Sequence, residues 1–458
     1  MQSKSRFPHS LVLIFAMIVL AQIATYALTP GEFQRVPDPA TGKLMVVPGT
    51  YAAVDAARVP WHAFLTLIPK GLEKGADIIF FVFIVGGVIG VVRATGAIDA
   101  LIGAAIRHVG GKPALLVAGI MTLLAIGAST IGMAEEYMPF IPVLVTMCLA
   151  LKMDAIVAMA IVYIGAGVGY GCAALNPFTV MIGQRIAGVE LASNQGLRWS
   201  LLAICLAISV HHTMRYVARI KADPSRSLVA GIDYSSGFEM PKDQRFTAAR
   251  GGIIAMFAAA IGLFVWGIKA YDWYLTELAA VFFAIAILSA VVARMSPNKV
   301  AAEFCTGAAE MTTTALLIGF ARTIEQMLNE GRVIDTVIHG LAQPLQQGTP
   351  DLAALGMLAV QSITNFFIPS GSGQAYVTMP IMAPLADITG VSREVAVFAY
   401  QFGDGFTNMI VPTNALLMGM LALGRIPFER WARFILPLLG KIYLVVAVFL
   451  VWAVRSGV

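Results

Sequence analysis

Charge is scarce in this chain. Of its 458 residues only 12% are charged, while 58% are hydrophobic and mean hydropathy is +0.80. A soluble domain carries roughly 25% charged residues. Half that supply is too little to coat a globule in water, which excludes a water-soluble fold and leaves an integral membrane protein. Cysteine is scarce too. Cys148, Cys172, Cys205 and Cys305 are scattered, without a Cys-x-x-Cys pair. They read as small buried hydrophobes, not as a disulfide framework. The six histidines show no metal spacing, and His211-His212 reads as structural. There is no HExxH, no GxSxG and no paired Asp-rich motif, so an enzyme is not expected. The net charge of +5 arises from short basic loops and not from a stripe. That excludes nucleic acid as a partner and fits positive loops on the cytoplasmic face of a membrane.

What the chain has in plenty is apolar text in two halves that read alike. Gly87-Val-Ile-Gly-Val-Val-Arg-Ala-Thr-Gly-Ala-Ile-Asp99 ends an apolar helix with Gly, a short spacer and Ile-Asp, and residues 319–335 do the same. Residues 126–139 and 368–380 are both small, polar, glycine-bearing stretches that run into Met-Pro. Gly165-Ala-Gly-Val-Gly-Tyr-Gly-Cys-Ala-Ala-Leu-Asn-Pro177 is answered by Gly403-Asp-Gly-Phe-Thr-Asn-Met-Ile-Val-Pro412 with Thr413 and Asn414. One match would be weak, but three in the same order point to a duplicated unit. Paired interrupted helices in two halves of a membrane chain mark a transporter site.

Loop charges set the topology. Lys4 and Arg6 precede an apolar run from Leu11 to Leu28, read as a first span and not a secretory signal. Residues 113–151 read as a re-entrant hairpin bent at Ser129-Thr130, with arms of about fifteen residues, short of the roughly 20 of a full span. The first half, residues 1–219, then crosses near 11–28, 78–94, 153–186 and 198–218. The loop 220–250, counted from Arg215, has seven basic against four acidic residues and belongs in the cytoplasm. The second half, residues 251–458, crosses near 251–270, 274–293, 311–328, 393–424 and 434–454, with its hairpin at 351–387. The expected fold is an all-α integral membrane protein of about nine transmembrane helices plus two re-entrant hairpins in two inverted repeats. The span 251–270 is the odd one that inverts the second repeat, and the N-terminus is cytoplasmic.

At membrane depth, irregular backbone persists only where protein or a wet cavity satisfies it. A hairpin tip leaves N–H groups free at one helix start, which suit anions, and C=O groups free at a helix end, which suit cations. Ser129, Thr130, Ser370 and Ser372 add hydroxyls, and Gly132, Gly371 and Gly373 allow close approach. Asn176, Thr407, Asn408, Thr413 and Asn414 sit at the second pair of breaks, where they read as substrate or ion contacts. Glu135, Glu136 and Asp404 are carboxylates in apolar surroundings, so each should face a cavity. Three jobs fit them: a proton site, a sodium ligand, or a partner for a substrate ammonium. Glu135 and Glu136 point about 100° apart on a helix, so one of them is structural. Asn176 and Asn408 join Glu135, Glu136 and Asp404 as candidates for ion coupling. A sodium ion is the only metal the chain leaves room for, and no other cofactor is expected. Arg185 and Arg322 are candidates for a substrate carboxylate, with helix-end snorkelling the favoured reading.

Four motifs carry a family resemblance: Ala134-Glu-Glu-Tyr-Met-Pro139, Leu175-Asn-Pro-Phe-Thr179, Pro369-Ser-Gly-Ser-Gly-Gln-Ala375 and Gln401-Phe-Gly-Asp-Gly-Phe-Thr-Asn408 followed by Pro412-Thr-Asn414. They resemble the anaerobic dicarboxylate carrier family in its YfcC-like branch, within the ion transporter superfamily, with the aminobenzoyl-glutamate transporters as similar relatives. The resemblance covers the chain from about Trp61 onward; residues 29–60 match nothing. It implies a homodimer in the bacterial inner membrane and small organic anions or amino acids as substrates, coupled to sodium or protons or exchanged. Members of the branch are called basic amino acid exchangers. The expected function is therefore a secondary active transporter of small carboxylate-bearing solutes, amino acids favoured because the acidic residues can hold an ammonium. A dicarboxylate transporter is the alternative. A passive anion channel is the rival from another class, but it needs a continuous pore with weak multi-site binding.

Overall fold

The computed structural model describes residues 10–38, 44–55, 58–100, 104, 113–130, 132–234, 247–271, 273 and 275–458. Lys4, Arg6, residues 235–246 of the central loop and the side chain of Glu136 lie outside the described residues.

Helices dominate. In the first half they are α1 (Ser10–Ala27), α2 (Ala63–Lys74), α3 (Ala76–Ala94), α4 (Pro113–Thr130), α5 (Phe140–Ala150), α6 (Ala155–Gly171), α7 (Val180–Ala187) and α8 (Gln195–Ala222). Next come α9 (Ala248–Tyr271), α10 (Leu275–Val292), α11 (Pro297–Ala309), α12 (Thr312–Glu330) and α13 (Ile334–Ala342). The chain ends with α14 (Pro350–Phe367), α15 (Gly371–Thr389), α16 (Arg393–Thr407), α17 (Ala415–Leu423) and α18 (Phe428–Ser456). Four of them, α3, α4, α8 and α18, are long and apolar enough to cross a membrane alone, and α11 with α12 forms a pair bent by 43° that passes the same test.

The starts of these helices are written in the sequence. Asp154, Ser296, Thr349, Ser392 and Asn414 each stand just before a helix and accept its first free backbone N–H groups. Pro297 and Pro350 follow their caps at the first helical position, where a missing N–H costs nothing. Gly188 and Gly390, at φ of 67° and 72°, stop α7 and α15 in the left-handed conformation.

The halves repeat in space as well as in text. Helix α2 packs on α12 as α11 packs on α3, and α1 packs on α12 as α10 does on α3. Helix α4 lies against α6 as α14 lies against α16. The second arm of each hairpin reaches across, α5 to α17 and α15 to α7. These exchanged contacts involve α1–α7 and, in the same order, α10–α12 and α14–α17.

Two expectations need correction. The two arms expected at about fifteen residues each within 113–151 are unequal: α4 has 18 and α5 has 11. Arm length alone therefore does not mark them as re-entrant. The second concerns residues 29–60, which match no motif in the sequence and hold four short strands among the described residues. Strand β1 (Gly31–Glu32) pairs antiparallel with β4 (Ala52–Ala53), and β2 (Arg35–Pro37) with β3 (Leu44–Val46). Arg35 pairs at 2.8 Å with buried Asp335 of α13, and Tyr51 stacks on His339 at 4.0 Å. Strand β3 packs on α15, where Tyr376 donates to Asp38 at 3.2 Å. This arm ties α13 to the second hairpin.

Candidate substrate cavity between the helix breaks

The two broken helices cross through glycine. A Cβ on Gly405 of α16 would stand 2.4 Å from the Cα of Gly171 at the end of α6. Only bare backbone fits there, and the breaks that follow, residues 172–179 and 408–414, open beside the crossing.

The hairpin tips close on this crossing differently. The first turns at Gly132, with φ of 85°, where a Cβ would meet Phe178 at 2.6 Å and Asn176 Oδ1 at 2.7 Å. Ser129 Oγ accepts from the Ala174 N–H at 3.0 Å, and Asn176 Nδ2 donates to the Ala128 carbonyl at 3.1 Å. Those side chains fasten the first tip to its own broken helix. Thr130 donates back to Ile126 within α4. The second tip is a three-residue link, Ile368, Pro369 and Ser370, and Ser370 Oγ caps α15 by accepting from the Gly373 N–H. The Gly371 and Ser372 N–H groups precede any intrahelical partner.

Between the tips lies a cavity of about 420 Å³. Of the predicted residues, Gly132, Glu135, Ser370, Gly371, Ser372, Asn408 and Asn414 line it. Ser129, Thr130, Asn176, Gly373, Thr407 and Thr413 do not. Thr407 bonds to Tyr443, and Thr413 donates to the Phe366 carbonyl at 2.7 Å, so both hold helices together. Asp404 is fully buried one residue behind the wall formed by Gly405. Arg185 is exposed and away from the cavity.

Other wall residues were passed over or misjudged in the sequence. Arg322, read as a snorkelling residue, lines the cavity and pairs with Glu325 at 3.1 Å, while its buried Nε has no acceptor among the described residues. Asp77, at the start of α3, adds a second wall carboxylate to Glu135. Tyr163 lies in a π-helical turn of α6, at 160–164, and donates to the Asn408 carbonyl at 2.9 Å. Such π turns cluster at functional sites, but no spacing rule reveals them. Asn414 Nδ2 donates to Asn408 Oδ1 at 2.7 Å, and Asn414 Oδ1 caps α17 through Leu416 and Leu417.

A second cavity of about 520 Å³ lies at the far end of α3, beside Arg93, Arg250, Lys299 and Arg425. Arg93 is sixteen residues from Asp77, about 24 Å along the helix. This cavity holds none of the predicted site residues.

Paired helix breaks around a central cavity, in a chain with several membrane-crossing helices, define a multi-pass membrane transporter. Residues 7–455 match the family described as DcuC, C4-dicarboxylate anaerobic carrier, and the chain belongs to that family. It is 31% identical over 492 residues to YfcC of Escherichia coli (strain K12), whose name proposes a basic amino acid antiporter, across 98% of this chain and 97% of that one. It is 28% identical over 491 residues to an uncharacterized protein of Haemophilus influenzae, across 97% of this chain and 96% of that one. Among solved structures it is similar to the Alcanivorax borkumensis YdaH transporter, with TM-score 0.43 and 17% identity over 98% of this chain and 99% of that chain. It is also similar to Neisseria gonorrhoeae MtrF, with TM-score 0.42 and 17% identity over 98% and 95%. Membership of a carrier family makes the protein a secondary transporter and not an enzyme.

Proposed function

We propose that the protein exchanges amino acids with a cationic side chain across the bacterial inner membrane, by alternating access to the cavity between the helix breaks. The observation that carries this reading is the charge of the wall: two carboxylates, Asp77 and Glu135, against one guanidinium, Arg322. A dicarboxylate would bring two more negative charges to that wall. An amino acid with a basic side chain brings two cations and one carboxylate, the complement of the three groups. The carboxylate goes to Arg322 and the free N–H groups of Gly371 and Ser372, and the ammonium groups go to Glu135 and Asp77. The name of the Escherichia coli relative agrees. In this reading about nine spans and two hairpins form inverted repeats, the N-terminus is cytoplasmic, and the cavity beside Arg93 is the cytoplasmic vestibule. The protein works as a homodimer.

Counterflow into preloaded proteoliposomes tests the reading. Labelled arginine, lysine or ornithine should exchange saturably, and succinate should not compete. Succinate exchange without any amino acid exchange would reverse the assignment in favour of the dicarboxylate carrier named by the family description. Single-channel currents in place of saturable exchange would make the protein a channel.

A further inference from the structure

We propose that the groove between α8 and α18 binds the headgroup of an anionic phospholipid, with Arg215, Arg219, Arg433 and Lys441 on its phosphodiester and an acyl chain laid along α18. The end of α8 meets the start of α18 there. His212 and Tyr216 pack their rings on Phe434, with centroids 5.0 and 5.1 Å apart. The groove encloses about 270 Å³, and its wall has four lysine or arginine side chains and no carboxylate. The larger cavity beside Arg93 sets Asp99, Glu303 and Glu310 among its own cations. Among the described residues no carboxylate pairs with Arg215, Arg219 or Lys441. Asp154, which accepts from the Tyr216 hydroxyl at 2.6 Å, stays out of the wall. Like charges gathered in this way repel until an anion joins them.

Lys441 selects the kind of anion. It stands eight residues beyond Arg433, about 12 Å along the helix, inside the apolar run of α18. An ammonium at that depth needs a partner. The Phe434 carbonyl can only accept, so His212 Nε2 carries the ring proton and donates to it at 3.0 Å. His212 Nδ1 is then an acceptor, and Lys441 Nζ donates to it at 3.4 Å. The ring holds the ammonium beside the groove but brings no charge to balance it. A soluble anion would have to leave water to reach Lys441, whereas a lipid phosphate already lies at the edge of the hydrocarbon.

The wall continues as a place for a tail. Arg433, Pro437, Lys441, Leu444, Val448 and Trp452 recur at every third or fourth residue, which is one face of a helix, and all six are exposed. The basic end comes first. The apolar end follows, with Leu444 67% and Val448 63% exposed. Helix α8 runs the other way, from exposed Ile204 to His212, Arg215 and Arg219. Both helices are long and apolar enough to cross a membrane. A ligand that fits them has charge at one end and hydrocarbon at the other. Basic pockets between membrane helices suit acidic lipid headgroups.

The test uses purified full-length protein, stripped of lipid in a neutral detergent. Native mass spectrometry counts bound lipid. Thermal unfolding is followed against phosphatidylglycerol, diphosphatidylglycerol and zwitterionic phosphatidylethanolamine in mixed micelles. Wild type should bind the two acidic lipids with a saturable rise in Tm and show none with phosphatidylethanolamine. Arg215→Gln/Lys441→Met should weaken that binding about thirty-fold. Arg219→Gln/Arg433→Gln carries the same comparison if the first pair does not fold. Arg185→Gln, at an exposed arginine outside the groove, should bind lipid as wild type does. Inorganic phosphate and glycerol 3-phosphate are the soluble probes. A rise in Tm with them equal to that with acidic lipid makes the groove a site for soluble anions and overturns the proposal. So does the absence of any preference for acidic lipid in wild type. Unchanged lipid binding in both double variants overturns it too, as does an equal loss in Arg185→Gln, which would make the effect one of overall charge.

Discussion

Glu394→Gln is the substitution for which the structure sets the largest cost outside the cavity. Arg198, at the start of α8, and Glu394, at the start of α16, form an ion pair at 2.8 Å with side chains 1% and 7% exposed. It joins one half of the chain to the other. The carboxylate also accepts from Ser193 Oγ at 2.9 Å. The guanidinium donates to the Ser193 and Ala173 carbonyls at 3.3 and 3.4 Å and lies 4.1 Å over the Phe398 ring. Removing one charge of a buried pair strands the other, at about 3–5 kcal/mol, whereas removing both is often close to neutral. Glu394→Gln and Arg198→Met should therefore each lower stability by about 3–5 kcal/mol. The double variant Arg198→Met/Glu394→Gln should lose less than the sum of the singles by more than about 1 kcal/mol. Reversible unfolding in mixed micelles of rising denaturing-detergent content measures all of them on one scale. A Glu394→Gln loss below about 1 kcal/mol, the range of exposed pairs, would refute the reasoning. Strict additivity in the double variant would do so equally.

Three further outcomes are expected. Gly132→Ala forces a side chain into a left-handed backbone and against Asn176 and Phe178; it should destabilise by about 1–3 kcal/mol, read as a lower Tm and a reduced folded yield. Asp77→Asn and Glu135→Gln, in the cavity wall, should each raise KM for a cationic amino acid about tenfold, the loss of roughly one charge-assisted contact; an equal effect on a neutral amino acid would deny them that role. Arg35→Ala strands the buried Asp335 carboxylate and should loosen the strands 31–53 more than the helices, read as faster hydrogen exchange confined to that arm.

Much of the fold was legible because membrane helices announce themselves as apolar runs, and their breaks as proline, glycine and asparagine. Two of the three recurring stretches, 126–139 with 368–380 and 165–177 with 403–414, mark helix breaks, and the first, 87–99 with 319–335, marks the ends of α3 and α12. What escaped were elements whose signal is not apolarity. Helices α2 and α11 are short and amphipathic; α2 is parted from α3 at Gly75, and α11 meets α12 at a bend of 43°. The strands 31–53 are two or three residues long, too short for alternation to register. In the site, local composition pointed to the right breaks but not to which side chains face inward. Ser129 and Asn176 were picked for the same polarity as Asn408 and Asn414. They instead spend it on the backbone of α4 and the loop after α6. Asp77 lies at a helix start, where charge is ordinary, Arg322 lies mid-helix in α12, and the packing of α3 beside α12 brings both to the cavity.

The two half-sites are alike in backbone and unlike in chemistry, and the difference has a physical consequence. The first tip is bolted to its own broken helix by Ser129 and Asn176, and a left-handed glycine turns it. The second rests on a glycine, with Tyr400 donating to the Gly371 carbonyl at 2.8 Å and unpaired oxygens beneath it. The fold has two such tips, yet the asymmetric solute proposed above needs only one end for its carboxylate and another for its cations. In the proposed function, the N–H groups at Gly371 and Ser372 would provide the first and Glu135, on the opposite tip, the second; all three residues line the cavity. In place of the Glu135-Glu136 pair the second half carries Gln374, whose amide locks Asn365 against Asp404. The two unlike breaks thus serve, in the proposed function, as an anion end and a cation end of one site.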